Sequence, residues 1–233
     1  MIRFAFSGSP HLLDVDPATF ERVTMAYLDA IRQRFHVAYR PKSLRISLSM
    51  GRSKGNDLVL AGITRIRSRG QAMTIDLKVR APEGVTVSMR RFAPIVVHEL
   101  FHLVVPIVDG SLLWTEGVTD FCAHLFLGLL DDLPLKLAYV ESLRASDPAY
   151  YRFKRPYVRG ANAMLGLYRR DQRATMANLS ALVRDANRDA ASVFAPCTKA
   201  DIVRYDPRFD VFFRRGPQAG QKGDWNTETP KTA

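Results

Sequence analysis

Apolar and polar residues alternate in several short runs along the first 87 residues, a pattern typical of β-strands. The runs that alternate in this way are residues 2–6, 44–50, 57–63 and 72–79. Between the first two of them, apolar side chains recur at helical spacing from Phe20 to Ile31, which predicts a helix from Asp16-Pro17 to about Arg34. The N-terminal part of the chain is therefore predicted to form a small β-sheet with one helix.

From residue 88 the apolar spacing becomes helical over most of the remaining chain. Helices are predicted at residues 88–104, 115–130, 135–145, 158–170 and 176–187. The segment Thr198-Lys199-Ala200-Asp201 resembles a capped helix start and predicts one more helical turn. Strands followed by helices favour an α+β fold, in which a small mixed β-sheet packs on the helix at 88–104 and a helical lobe follows.

The chain is predicted to form a single domain over residues 1–215, with a β-rich part at 1–87 and a helical part at 88–215. Its 47% hydrophobic content is enough for a substantial core. Residues 216–233 are polar and rich in Gly, Pro and Thr, and are predicted to be a disordered tail. Two cysteines, Cys122 and Cys197, do not make a disulfide framework, and Cys122 is interpreted as a core residue.

Hydropathy along the chain also bears on its cellular location. No uninterrupted apolar stretch approaches the roughly 20 residues of a transmembrane helix, so no membrane association is expected. The first residues lack the long apolar core of a signal peptide. The predicted location is therefore the cytoplasm, or outside the cell if a leader has been removed.

Two histidines and a glutamate stand close together in the helix predicted at 88–104. In His98-Glu99-Leu100-Phe101-His102 the histidines are four residues apart, so both imidazoles lie on one helix face with Glu99 beside them. This spacing is typical of zinc hydrolases, in which the two histidines bind the ion and the glutamate is the general base. The alternative is a buried, hydrogen-bonded histidine pair without a metal.

The next predicted helix offers a third zinc ligand. Zinc in a hydrolytic site takes three protein ligands, and two His plus one carboxylate is a standard set. Glu116 is the predicted third ligand, and Asp120, one turn later, is placed to orient a ligand histidine through its other ring nitrogen. The alternative is that both acids only complement the dipole of a helix N-terminus. His124, one turn beyond Asp120, is interpreted as a structural or exposed residue, with contact to the site as the less favoured alternative.

Three blocks of the sequence together resemble the glycyl aminopeptidase family of gluzincins. The first is Val97-His98-Glu99-Leu100-Phe101-His102, and the second is Leu113-Trp114-Thr115-Glu116-Gly117-Val118-Thr119-Asp120-Phe121. The third is Pro156-Tyr157-Val158-Arg159-Gly160-Ala161, which is similar to a Tyr-x-Lys-Gly segment with Arg159 in place of the usual Lys. The resemblance covers about residues 5–205 and implies a gluzincin, thermolysin-like catalytic domain.

The resemblance also implies a role for each site residue. It implies one zinc ion per chain, held by His98, His102 and Glu116. Glu99 would be the general base, and Asp120 would support a zinc-binding histidine. Tyr157 would stabilise the oxyanion, since a phenol aimed at the developing charge binds it more strongly than the uncharged carbonyl. Without the resemblance, the favoured interpretation of Tyr157 is an aromatic anchor at a helix entrance.

The net charge of +11, from 34 basic and 23 acidic residues, is the strongest anomaly of the composition. Residues 152–159 interleave cations with aromatics, and three interpretations of this stretch are open. It can be a solvated basic face, a nucleic-acid surface, or the lining of a cleft that attracts an acidic peptide or its C-terminal carboxylate.

The sequence thus predicts a zinc-dependent metallopeptidase, a hydrolase that cleaves peptide or amide bonds in a peptide or protein substrate. The chain has no Gly-Ala-Met-Glu-Asn segment, which holds the substrate's ammonium group in the aminopeptidase N group, so aminopeptidase and endopeptidase activities both remain open. The alternative from another class is a non-catalytic gluzincin-like protein that binds an acidic partner through its basic surface. Nucleic acid is the less favoured partner.

Overall fold

The computed structural model of the protein describes residues 1–37, 42–53, 55–67, 72–108, 111–186 and 198–214. The strands are β1 (Ile2–Gly8), β2 (Ser43–Arg52), β3 (Val59–Arg67) and β4 (Ala72–Ala81). The longer helices are α1 (Pro17–Phe35), α2 (Met89–Phe101), α3 (Leu112–Leu127), α4 (Asp132–Ser142), α5 (Pro148–Arg170) and α6 (Gln172–Ala186). Two short helices follow, α7 (Lys199–Val203) and α8 (Val211–Arg214). This order confirms the predicted α+β class.

The four strands form one mixed sheet in the spatial order β1, β2, β4, β3. The pairs β1 with β2 and β2 with β4 are parallel, whereas β3 is antiparallel to β4. Alternate residues of β2 and β4 are buried, so the sheet has one apolar face, which packs on helices. Strand β3 lies at one side of this sheet and contacts α2, so the predicted packing of a small mixed sheet on the helix with both histidines is confirmed.

Buried aromatic rings fix α2 against α1. Phe20 of α1 packs on Phe92 of α2 with ring centroids 6.4 Å apart, and Phe35 meets Phe101 edge to face at 5.7 Å. All four rings are buried in the main core, together with the apolar face of the sheet. The end of α2, which carries His98 and is directly followed by His102, is thus anchored on a packed core.

Helices α3 and α5 approach each other closely because a glycine of each helix lies at their contact. A Cβ added at Gly117 of α3 would lie 2.5 Å from the Cα of Gly160 in α5. A Cβ added at Gly160 would lie 2.1 Å from the backbone oxygen of Leu113. Any larger side chain at either position must therefore push the two helices apart.

The main difference from the sequence-based prediction is the start of α5. The helix begins at Pro148, ten residues before the predicted start at 158. Asp147 caps it by accepting a hydrogen bond from the backbone N–H of Tyr150 at 3.0 Å, and a proline is well suited to the first helical position. Pro156 lies inside the helix, where it removes one backbone hydrogen bond without ending the helix.

Three other helices begin or end at residues other than those predicted. Helix α3 begins at Leu112 rather than 115, because the Ser111 side chain caps it through the N–H of Trp114 at 3.2 Å. Helix α2 ends at Phe101 rather than 104, and α4 spans Asp132–Ser142 rather than 135–145. The capping box predicted at Thr198 and Asp201 is confirmed.

Of the two cysteines, only Cys122 lies within the described residues. Cys122 is a buried free thiol in the core, as predicted. Cys197 and the tail predicted at 216–233 lie outside the described residues. None of the described helices has both the length and the apolar character needed to cross a lipid bilayer.

Candidate metal centre

The candidate metal centre consists of His98, His102 and Glu116. His98 lies in the last turn of α2, and His102 directly follows the helix with helical backbone angles, φ −60° and ψ −16°. The spacing of one helical turn is therefore kept, and both imidazoles lie on the same side. Glu116 is in the second turn of α3 and faces them, so elements separated by a short connection bring the three side chains together.

The donor atoms of these three residues form a nearly equilateral triangle. Glu116 Oε2 lies 3.1 Å from His98 Nε2 and 3.4 Å from His102 Nε2, and the two Nε2 atoms are 3.2 Å apart. Ligands of a tetrahedral zinc ion with bonds of 2.0 to 2.1 Å have donor atoms about 3.3 Å apart. The two nitrogens and one oxygen therefore fit a zinc ion in both chemical type and spacing.

Glu99 is the other carboxylate beside the histidines. One donor atom from each of His98, Glu99 and His102 lies within 4.8 Å of the others, which is a looser group than the triangle with Glu116. The closer carboxylate fits a direct ligand, while the more distant one fits a group that acts on a neighbouring molecule. The roles predicted from sequence, ligand for Glu116 and general base for Glu99, stay predictions.

Asp120 contacts the opposite nitrogen of His98. Its Oδ1 lies 3.4 Å from His98 Nδ1, one helical turn after Glu116. Burial disfavours a charged His98, but hydrogen bonds with Asp120 and Glu116 outweigh burial and raise the pKa of this histidine to about 10. The cluster thus strongly favours a positive charge at His98, where a bound metal ion would replace a proton.

The pKa values of Glu116 and Asp120 are lowered, whereas that of His98 is raised. Burial alone would raise the pKa of Glu116, but its interactions with His102 and His98 hold the pKa well below its usual range. Burial also opposes ionisation of Asp120, yet hydrogen bonding to His98 and the positive charge on that ring lower the pKa of Asp120 strongly. Both acids are therefore anionic near neutral pH, as a ligand and its supporting residue must be.

Glu99 is buried, and strand β3 holds its side chain. The Thr64 hydroxyl donates a hydrogen bond to Glu99 Oε2 at 2.7 Å and lies 3.2 Å from the backbone oxygen of the same residue. A Cβ added at Gly62 would lie 2.5 Å from Glu99 Cγ, so only glycine leaves room for the carboxylate in this position. Sequence reasoning missed both residues, because the pairing of β3 with α2 is not visible in local patterns.

Tyr157 adjoins the centre from α5. Its ring lies nearly parallel to the ring of His98, with centroids 6.4 Å apart and an interplanar angle of 15°. Burial and the neighbouring carboxylates raise the pKa of Tyr157 strongly, so its hydroxyl stays protonated. Within the described part of the chain, this hydroxyl forms no hydrogen bond and remains available as a donor.

His124 and Lys136 extend the cluster behind Asp120. His124 is buried, with Nδ1 2.6 Å from the backbone oxygen of Asp120 and Nε2 2.7 Å from Lys136 Nζ. His124 is thus buried rather than exposed, and it contacts Asp120 of the cluster, which was the less favoured of its two interpretations. Lys136 was not singled out from the sequence, since a lysine in a helix normally indicates only a solvated face.

The basic stretch at 152–159 does not form one uniform surface. Arg155 and Arg159 both lie beside Glu141 of α4, with Arg159 Nε and Glu141 Oε1 3.1 Å apart. Arg159, which replaces the lysine of the Tyr-x-Lys-Gly pattern, is thus paired with α4. Lys154 instead lies over the rings of Phe153 and Tyr157.

The structure brings together five of the six predicted site residues, namely His98, Glu99, His102, Glu116 and Asp120, and places the sixth, Tyr157, beside them. Neither models of known protein families nor curated proteins match this chain.

Proposed function

We propose that the protein is a zinc-dependent metallopeptidase of the gluzincin type that holds one zinc ion with His98, His102 and Glu116. The observation that carries the proposal is the triangle of donor atoms with edges of 3.1 to 3.4 Å. Two histidine nitrogens that both face one carboxylate oxygen need a cation among them, either a proton or a metal ion. Glu99 and Tyr157, placed beside the triangle, favour a hydrolytic metal.

The neighbouring side chains supply the acid–base chemistry of peptide hydrolysis. A zinc ion at this centre would polarise the substrate carbonyl and lower the pKa of a water molecule beside it. Glu99 takes a proton from the attacking water and passes it to the departing amine. Thr64 orients the carboxylate for this transfer through its hydrogen bond to Oε2.

Tyr157 completes the arrangement on the other side. Because its phenol stays protonated, it can donate a hydrogen bond to the carbonyl oxygen as negative charge develops there. Asp120 holds His98 in the orientation that directs Nε2 towards Glu116. The arrangement favours peptide or amide hydrolysis and leaves both aminopeptidase and endopeptidase activity open.

Metal content is the direct test of the proposal. Elemental analysis of purified protein supplied with zinc should find about one zinc per chain, and His102→Ala should lose it, since two ligands bind zinc far more weakly than three. His11→Ala is the matched control, because His11 is exposed and lies outside the cluster. Folded wild-type protein that takes up no zinc would refute the metallopeptidase.

Tyr157→Phe tests the oxyanion role by removing only the hydroxyl. Turnover of a peptide substrate should fall by about tenfold to 100-fold with unchanged zinc content, because the lost hydrogen bond acts mainly in the transition state. Tyr150→Phe is the control, since Tyr150 is an exposed tyrosine of the same helix. Equal turnover by Tyr157→Phe and wild type would remove Tyr157 from the mechanism.

The rival proposal is a non-catalytic protein that binds an acidic partner through a basic surface. Its support is the net charge of +11. The pairing of Arg155 and Arg159 with Glu141 reduces the cationic surface that residues 152–159 offer to such a partner. We therefore rank the metallopeptidase first.

A further inference from the structure

Lys154 is a cation that the proposed mechanism does not use, although it lies next to the candidate metal centre. It precedes Tyr157 by three residues in α5, so both side chains lie on one face of the helix. Its Nζ is 4.5 Å from the ring centroid of Tyr157 and 5.1 Å from that of Phe153. The side chain is half-buried.

Within the part of the chain that the structure describes, the positive charge of Lys154 has no direct ionic partner. Among the described residues, no carboxylate forms an ion pair with its Nζ, whereas Arg155 and Arg159 of the same helix share Glu141. Burial lowers the pKa of Lys154, and the charges of Asp120 and Glu116 oppose this shift from a distance. A half-buried ammonium group in this position is a ready site for an anion.

The acids near the centre are already engaged by other groups. Thr64 holds Glu99, the two histidines face Glu116, and Asp120 contacts His98. An aminopeptidase needs spare carboxylates for the substrate's ammonium group, and these acids have other partners. The charged group of a peptide that can bind here is therefore an anion rather than the ammonium group.

We propose that Lys154 binds a carboxylate of the peptide substrate close to the scissile bond. This inference rests on the proposed function, because it places the carboxylate beside Tyr157 and the metal ligands. The carboxylate belongs either to the C-terminus of the peptide or to an acidic side chain next to the cleaved bond. Lys154 thereby sets substrate specificity, and the rings of Phe153 and Tyr157 lie against its ammonium group.

Binding of small peptides measures this preference without turnover. The host is Glu99→Gln protein, with and without zinc, so that the peptides are not cleaved and the preference is measured whether or not metal is bound. The probes are N-acetyl-Ala-Ala with a free C-terminus, its C-terminal amide, and N-acetyl-Asp-Ala amide, each titrated by calorimetry. At least one carboxylate probe should bind about tenfold or more tightly than the neutral amide, as a charge-assisted hydrogen bond requires. The tighter of the two identifies the source of the carboxylate.

Variants in the same host assign the preference to one residue. Lys154→Met should abolish it, and Lys154→Arg should keep it. Arg152→Met is the matched control, because it removes a cation two residues away that is exposed and points to another side of α5. This control should leave the preference unchanged.

The outcomes separate this inference from the proposed function. No carboxylate preference, no detectable binding of any probe, or a preference that survives Lys154→Met would overturn the role of Lys154. The wild type can bind zinc and yet cleave no peptide, while the carboxylate preference still depends on Lys154. That combination would support the anion site and refute the peptidase. Peptide cleavage without any carboxylate preference would support the peptidase and refute the anion site at Lys154.

Discussion

Replacement of Glu99 by Gln should reduce peptide turnover by at least about 100-fold, because the amide cannot accept the proton that a general base removes. The substitution keeps the size of the side chain and leaves an oxygen that can accept the hydrogen bond from Thr64. Zinc content should stay at about one ion per chain, since Glu116 rather than Glu99 is the closer carboxylate to both histidines. The expected result is thus a folded, zinc-loaded and nearly inactive protein.

Three measurements on one preparation check this result. They are the initial rate of cleavage of a peptide library, the zinc content, and the midpoint of thermal unfolding. Glu21→Gln is the matched control, because it makes the same change at an exposed position of α1. If Glu99→Gln cleaved peptides as fast as wild type while holding zinc, Glu99 would not be the base and another proton acceptor would be needed. If it lost zinc, Glu99 would belong to the ligand set.

Glu99 also shows how much of the centre can be predicted from sequence. Histidines at positions i and i+4 with an adjacent glutamate form a local pattern, and helix geometry alone places them on one face. Thr64 and Gly62, which hold and accommodate the glutamate, precede it by 35 and 37 positions. Their contribution depends on the packing of β3 against α2, and a threonine and a glycine in a strand have no local signature of such a role.

The surroundings of Tyr157 were also only partly predictable from local sequence patterns. The helix was predicted to begin at residue 158, after Pro156, but α5 begins at Pro148 and continues through Pro156. Because the helix continues on the N-terminal side of Pro156, Lys154 lies one turn from Tyr157 and over its ring. The sequence therefore predicted a basic stretch, whereas the structure divides it into arginines paired with α4 and a lysine beside the candidate centre.

The fold class was accessible from sequence because both signals are local. Alternation with a period of two marks the strands, and helical spacing marks the later elements. Helix ends were less accessible, since caps such as Ser111 and Asp147 lie outside the apolar patterns. The close approach of α3 and α5 was not predicted at all, because it depends on two glycines 43 positions apart, Gly117 and Gly160.

This approach leads to the second large effect, which we expect from Gly160→Ala. The new methyl group would lie 2.1 Å from the backbone oxygen of Leu113 and 2.8 Å from Gly117 Cα. Backbone atoms of two packed helices cannot move aside as a flexible side chain can, so we expect the free energy of unfolding to fall by about 2 to 3 kcal/mol. Displacement of α5 would also move Tyr157 away from His98, so turnover should fall together with stability.

Gly166→Ala provides the comparison, because it makes the same change in the same helix. A Cβ at Gly166 meets no atom within 4 Å, so alanine should stabilise the protein by about 0.5 to 1 kcal/mol through its higher helix propensity. Urea unfolding measures both variants, and the midpoints should move in opposite directions from wild type. Equal stability of the two variants would show that α3 and α5 are not in direct contact at these glycines. Tyr157, one helical turn before Gly160 in α5, would then need another explanation for its position beside His98.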